Sequence, residues 1–337
     1  MTSAVQDDTS ALPLGSIRSE LRSLTHGCGF YRIDRALFTV AGKDRVRWLN
    51  GMVSNNIRDL APGNGVYAFV LNAQGQIQGD LYAFNRGESL ILEIDRVQVD
   101  SLLTLLRRYI IMDKVEIQDT TDLIPVGVTG PESRRAFEAS GFTLPDLKPL
   151  ELLSVHWNGA DVTVVRTDNP EIEGYELWVP AERVDSLFQT VNSAGASEIH
   201  ASTVEEFRIL SGIPKFGQDI RERTLPQETG QERALNFTKG CYIGQEIVER
   251  IRARGSVHRM FTGFELEGQA PPLGTKVQSD GKDVGEITSI ATVPSTEGHH
   301  LSLGYLRREF AAPEKDLFAD GRKVKVRSLP FTELHSE

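Results

Sequence analysis

The residues best suited to chemistry in this 337-residue chain concentrate in one short stretch. Asn236 to Glu249 reads NFTKGCYIGQEIVE, which sets a lysine, a cysteine, a tyrosine, a glutamine and a glutamate within a few positions. Gly240 and Gly244 punctuate it, and glycine permits positive φ and close backbone approach. The residues after Gly244 are good helix formers with apolar spacing at Ile247 and Ile251, so Cys241 is expected just before a helix N-terminus. The helix dipole, with Lys239 beside it, would lower a thiol pKa there. The functional reading is a reactive thiolate or a ligand-holding loop built from Lys239, Cys241, Tyr242, Gly244, Gln245 and Glu246. The competing reading is that Cys241 is a small buried hydrophobe, the commoner fate of a lone cytosolic cysteine.

Composition narrows the chemistry further. Lys plus Arg is 37, Asp plus Glu is 47 and the net charge is −10, which argues against a general nucleic-acid binder with a basic face. The 2 cysteines cannot complete a zinc site alone, nor supply the thiolates of a usual iron–sulfur cluster. A disulfide framework needs a small, cysteine-dense chain. Cys28 has no ligand spacing that supports pairing with Cys241 on a metal, and reads as a structural thiol. His299 and His300 read as a loop, and no metal site is expected. The sequence shows no phosphate loop, nucleophile elbow or dinucleotide fingerprint.

The positioning elements alternate between hairpins and helices. Strands are expected at Tyr31 to Val40, Val66 to Asn72, Gln76 to Phe84, Ser89 to Ile94, Val115 to Gln118 and Leu123 to Thr129. An amphipathic helix is expected over Val97 to Met112. Strands at Leu152 to His156, Asp161 to Arg166 and Glu176 to Val179 precede helices at Ala181 to Ser193 and Val204 to Gly212. From His258 onward short strands separated by Pro, Gly and Asp turns read as a small β-barrel. The mixture is α+β rather than doubly wound. Met1 to Gly15 is small and polar and reads as a disordered lead-in. SLLTLLRRYIIM, Ser101 to Met112, is cut by charges and too short to span a bilayer. A cytoplasmic protein with reduced thiols is the expectation.

KGCYIGQE, Lys239 to Glu246, resembles the signature of the YgfZ family of folate-binding proteins. These are relatives of the glycine-cleavage T-protein, an aminomethyltransferase, and include a factor for iron–sulfur cluster assembly. Phe207-Arg208-Ile209, Gly212-Ile213-Pro214 and Leu225-Pro226-Gln227-Glu228 resemble further family elements. So do Gly42-Lys43-Asp44, Trp48-Leu49-Asn50-Gly51, Ser54-Asn55-Asn56, and Leu71-Asn72 with Gly75 and Asp80. The resemblance covers about residues 25–330.

It implies two intertwined α+β domains around a central channel, plus a C-terminal β-barrel. The folate-binding region would span 16–255, with roughly 50–125 inserted, and the barrel 256–330. It implies tetrahydrofolate in the channel, its pterin on a carboxylate and its glutamate tail near basic side chains. Glu176 and Asp80 are the candidate carboxylates; Arg208, Lys239, Arg250 and Arg252 are the candidate cations. By the resemblance, Cys241, Lys239 and Asp80 are the candidates for chemistry, and Glu176, Arg208, Tyr242, Gly244, Gln245 and Glu246 for folate binding. The aminomethyltransferase's double acid reads Gly79-Asp80 here, and that enzyme lacks KGCY. The implied role is a tetrahydrofolate-binding accessory factor for assembly or repair of iron–sulfur proteins. The alternative is folate-dependent aminomethyl transfer. Expected partners are folate and client iron–sulfur enzymes, without membrane or nucleic acid, and the chain is expected as a monomer. One-carbon metabolism and tRNA modification are the implied contexts.

Overall fold

The computed structural model describes residues 12–169, 171–255, 257–295, 298–311 and 316–331. Most of the expected lead-in lies outside them. Helix α1 (Leu14–His26) buries Ile17, Leu21 and Leu24, an i, i+4, i+7 stripe. Then come β1 (Gly29–Arg32), β2 (Arg35–Ala41), α2 (Arg45–Met52), β3 (Asn64–Leu71), β4 (Ile77–Asn85) and β5 (Leu90–Asp95). α3 (Val99–Arg108), β6 (Glu116–Asp119), β7 (Leu123–Thr129) and α4 (Ser133–Ala139) follow. Next are β8 (Leu152–Trp157), β9 (Ala160–Arg166), β10 (Gly174–Pro180), α5 (Val184–Ser193), β11 (Ser197–Glu198), α6 (Ala201–Leu210) and α7 (Gln245–Arg254). The last strands are β12 (Arg259–Leu266), β13 (Lys276–Ser279), β14 (Lys282–Ile290), β15 (His300–Arg307), β16 (Leu317–Ala319) and β17 (Arg322–Arg327).

These strands make two open sheets and a barrel. The first sheet has the order β11-β1-β7-β10-β9-β8, the second β3-β4-β5-β2-β6, and β12-β15-β14-β13-β16-β17 close on themselves. The second sheet lies in sequence between β1 and β7, two neighbours in the first. Closure of the barrel removes its edges.

The stretch expected as one strand, Tyr31 to Val40, is two strands in two sheets. The chain changes sheets at Ile33 and Asp34. Ile33 N–H donates to Pro125 O beside the first sheet, while Asp34 O accepts from Arg96 N–H beside the second. Alternation of side chains runs on through such a crossing, so periodicity does not reveal it. The expected helix at 97–112 is also shorter. Gln98 turns inward at its start, and Trp48 Nε1 binds Tyr109 O at its end, 3.3 Å away. Val97 and Met112 consequently lie exposed.

The sheets meet over a small apolar cluster of Leu37, Phe84, Ile91, Val165 and Trp178. The Phe84 and Trp178 rings stand edge to face with centroids 5.2 Å apart, a favoured aromatic arrangement. The open edges of β3 and β8 are tied by Gly65 N–H to Leu150 O and Leu152 N–H to Gly63 O. Helix α6 and the 210–220 segment join both sheets to the barrel.

Candidate functional site

Between these three units lies a channel of about 1630 Å3. The register of the second sheet sets one wall. Tyr67 faces Tyr82, Phe69 faces Asp80 and Tyr82 faces Glu93, so side chains at alternate positions of β3, β4 and β5 share one side. Arg35, at the start of β2, pairs with Asp95 at the end of β5. From the first sheet come Tyr31, Thr129 and Glu176. Gly127 sits opposite Tyr31, and a Cβ there would stand 2.5 Å from the tyrosine ring. Glycine therefore lets the ring lie across β7, where its hydroxyl meets Thr129 Oγ1 at 3.1 Å.

Carboxyl groups crowd this wall. Asp80 accepts Tyr67 Oη–H at 2.5 Å and Gln98 Nε2–H at 2.5 Å. Those bonds favour its ionised form, but burial and the Asp95 charge outweigh them and raise its pKa. Arg35 donates Nη1–H to Glu93 and Nε–H to Asp95, both at 2.7 Å. Glu176 accepts Trp178 Nε1–H at 2.6 Å, and its second oxygen lies 4.0 Å from Arg35 Nη1. Burial first, then the Glu93 charge, pushes the Glu176 carboxyl well above the usual range. A second cation, Arg233, lies over the Tyr67 ring at 4.4 Å and pairs with Asp168. Tyr82 Oη–H closes that group onto Asp168 at 3.3 Å. The wall thus offers acceptors, aromatic faces and two guanidinium groups.

Asp80, Glu176 and Arg208, among the residues singled out from the sequence, line this channel. Arg208 is fully engaged there. It binds Glu205, Asp219, Ser289 Oγ and Ile213 O, which clamps α6 to the barrel.

The KGCYIGQE segment packs elsewhere, with none of Lys239 to Glu246 among the described lining residues. Lys239 is buried, and its Nζ donates to the carbonyls of Asn50, Val53 and Asn55, each at 2.6 Å. Burial and the Arg58 guanidinium push its pKa down to about 7. Against that, supplying three N–H bonds requires the ammonium form. Its Nζ also lies over the Tyr242 ring at 4.8 Å. Gly244, at φ +83°, caps α7 and presses on the β3–β4 turn, where a Cβ would stand 2.6 Å from Asn72 O. Gln245 and Glu246 open α7, so Cys241 lies four positions ahead of the helix rather than at its mouth. Cys241 is exposed, whereas Cys28 is buried in the first sheet's core with its pKa raised to about 12 by burial. The two thiols therefore sit in different surroundings. Arg250 and Arg252 ride on α7, Arg252 over the Phe237 ring at 4.3 Å, and both are outside the lining.

Residues 15–239 match the GCVT N-terminal domain family, about two-thirds of the chain. The chain belongs to the GCVT family. Residues 254–332 match the CAF17 C-terminal beta-barrel domain. An aminomethyltransferase of Rubrobacter xylanophilus is 28% identical over 296 residues, covering 86% of this chain and 78% of that protein. A putative chloroplastic transferase of Arabidopsis thaliana is 26% identical over 278 residues, covering 81% and 63%. The crystal structure of glycine cleavage system aminomethyltransferase T from Bartonella henselae superposes with a TM-score of 0.84 at 19% identity, covering 96% of this chain and 91% of that one. The fold is therefore glycine-cleavage T-protein-like, α+β with a closed C-terminal barrel, as the motifs led us to expect.

Several residues of the GCVT channel escape a reading by motif. Arg35, Glu93, Gln98, Asp168 and Arg233 carry no motif of their own. One signal existed for Glu93: it interrupts the apolar run LILEI, and a carboxylate inside a buried strand needs a partner. No helix among the described residues is long and apolar enough to cross a membrane.

Proposed function

We propose that the chain binds tetrahydrofolate in the channel and serves as an accessory factor in assembling or repairing iron–sulfur proteins. The observation that carries the folate reading is the pair of buried carboxyls, Glu176 and Asp80, on a wall faced with tyrosine rings. A pterin edge presents adjacent N–H donors, which a carboxylate accepts, and its ring stacks on aromatic faces. The donor set therefore fits the ligand. Glu176 would hold the pterin edge, and Tyr31 and Tyr82 would bound its faces. Arg96 and Lys215, half-exposed at the lining, would meet the tail carboxylates. Their present surface pairs with Asp34 and Glu205 are weak enough to exchange, each being worth about 0–1 kcal/mol. Bound tetrahydrofolate would supply a carrier for one-carbon units.

The accessory role is supported by a division of the molecule. Cys241 is exposed on a segment held outside the channel, open to a protein partner, while the folate groups face inward. Lys239 contributes by fixing the loop that presents it. Both cysteines are free thiols, consistent with a cytoplasmic setting. The test measures iron–sulfur enzyme activities in cells whose only copy is Cys241→Ala. Full client activity removes the accessory reading; tetrahydrofolate titration checks the ligand separately.

Folate-dependent aminomethyl transfer is the second reading. Asp80 favours it, since a buried carboxyl with a raised pKa is suited to proton transfer. It predicts turnover of an aminomethyl donor with tetrahydrofolate by the purified chain, and absence of turnover removes it.

A further inference from the structure

We propose that Glu93 and Glu176 share a single proton in the free protein, and that a ligand seating N–H donors on Glu176 expels it to solvent. The identity of that ligand rests on the folate reading above; the shared proton does not.

The geometry is a shortage of cations. Glu93 is 1% exposed and Glu176 is 4% exposed. Arg35 spends Nη1–H on Glu93 at 2.7 Å and Nε–H on Asp95 at 2.7 Å. Glu176 lies 4.0 Å from that same Nη1, beyond hydrogen-bond reach. Its other oxygen takes the Trp178 indole N–H at 2.6 Å. The remaining charged and titratable groups around the cluster do not relieve it. Asp80 and Tyr82 face it from β4, Asp95 from β5 and Tyr31 from β1, while Arg233 is paired with Asp168. Glu93, Asp95 and Glu176 thus bear on Arg35, and Asp80 also lies within reach of its charge. Like charges held together away from water do not both ionise, and one keeps a proton.

The proton belongs between Glu176 and Glu93. Glu93 already accepts Arg35 Nη1–H at 2.7 Å, so the proton rests on Glu176, whose protonated carboxyl hydrogen-bonds to Glu93. In that state the Glu176 hydroxyl is a donor turned toward Glu93. A ligand edge with two adjacent N–H groups needs acceptors, so the proton leaves Glu176 for the buffer as the edge docks. No other covalent bond changes; the hydrogen bond to Glu93 is exchanged for those from the ligand. Glu93 is then a positioning residue: it sets the charge of Glu176 without touching the ligand. Because binding releases a proton, affinity climbs with pH by up to about tenfold per pH unit while free Glu176 stays protonated.

Two measurements test this. Infrared spectra of the ligand-free protein at neutral pH are expected to contain the carbonyl stretch of an un-ionised carboxylic acid. That component should vanish in both Glu93→Gln and Glu176→Gln. Its absence from the unaltered protein, or its survival in both variants, overturns the shared proton. Calorimetric titration of tetrahydrofolate in buffers of different ionisation enthalpy is expected to show close to one proton released per site. Glu93→Gln should bind with almost no release and a flattened pH profile, because an amide N–H now holds Glu176 ionised. Binding without release, or equal release in the variant, overturns the expulsion step and leaves the folate reading standing. If no folate binds either protein, the folate and expulsion readings both fall, and the infrared component alone decides the shared proton.

Discussion

Lys239 Nζ and the main-chain oxygen of Asn50 lie 2.6 Å apart, although 189 positions separate them in the chain. Asn50 belongs to α2, near the end of the helix. The lysine thus supplies donors where a helix terminus leaves carbonyls unsatisfied. It also takes up Val53 O and Asn55 O in the turn beyond.

From that relationship, Lys239→Met should destabilise the chain by about 3 kcal/mol, because three carbonyls lose their donor in a buried place. Denaturant melts check this. A variant as stable as the parent would show that the three bonds contribute nothing net.

Arg208→Met should likewise act through stability, costing about 3–5 kcal/mol by leaving Asp219 buried without its cation. Under conditions where the variant remains folded, tetrahydrofolate affinity measured by calorimetry should stay within about threefold of the parent. A large loss of affinity with an unchanged melt would make Arg208 a direct ligand contact.

Glu176→Gln separates binding from stability. Affinity for tetrahydrofolate should fall by about 10–100-fold, the worth of a charge-assisted hydrogen-bond pair. Stability should move the other way. A carboxyl whose folded pKa is raised above its ordinary 4.5 binds more protons folded than unfolded, so stability declines as pH rises through the window above 4.5. The glutamine variant lacks that decline. Its melting temperature should match the parent at acid pH and exceed it at mildly alkaline pH.

Thiol labelling should divide the two cysteines. One equivalent of iodoacetamide should react quickly at Cys241 in the native protein. The second, at Cys28, should react on unfolding, since burial keeps that thiol protonated. Saturating tetrahydrofolate should leave the Cys241 rate unchanged, because the channel does not include it. Strong protection would place the ligand against the KGCY segment.

The sequence made the fold legible where rare residues occur in order. The KGCYIGQE run and the hairpin glycines resemble one family, and the barrel announced itself through short strands and turns. Asp80 and Glu176 were legible as channel carboxyls by the same route. What periodicity hid was the crossing at Ile33–Asp34, because side-chain alternation continues across it. The cluster around Arg35 was hidden for another reason: its members come from β2, β5 and β10, and register between distant strands is fixed only by the tertiary fold. Lys239 shows the reverse case. Its neighbours in sequence point to thiol activation, while its ammonium is spent on carbonyls nearly two hundred positions away.

The two-residue passage from β1 to β2 has a mechanical consequence. Arg35 is the first residue past it, and its partners Glu93 and Glu176 stand on opposite sheets. A ligand lodged there would act as a strut bridging both sheets at their shortest covalent link. Its binding energy should therefore add to the cooperativity of the whole chain. Heating a saturated sample should yield one later, sharper transition instead of protecting either sheet alone.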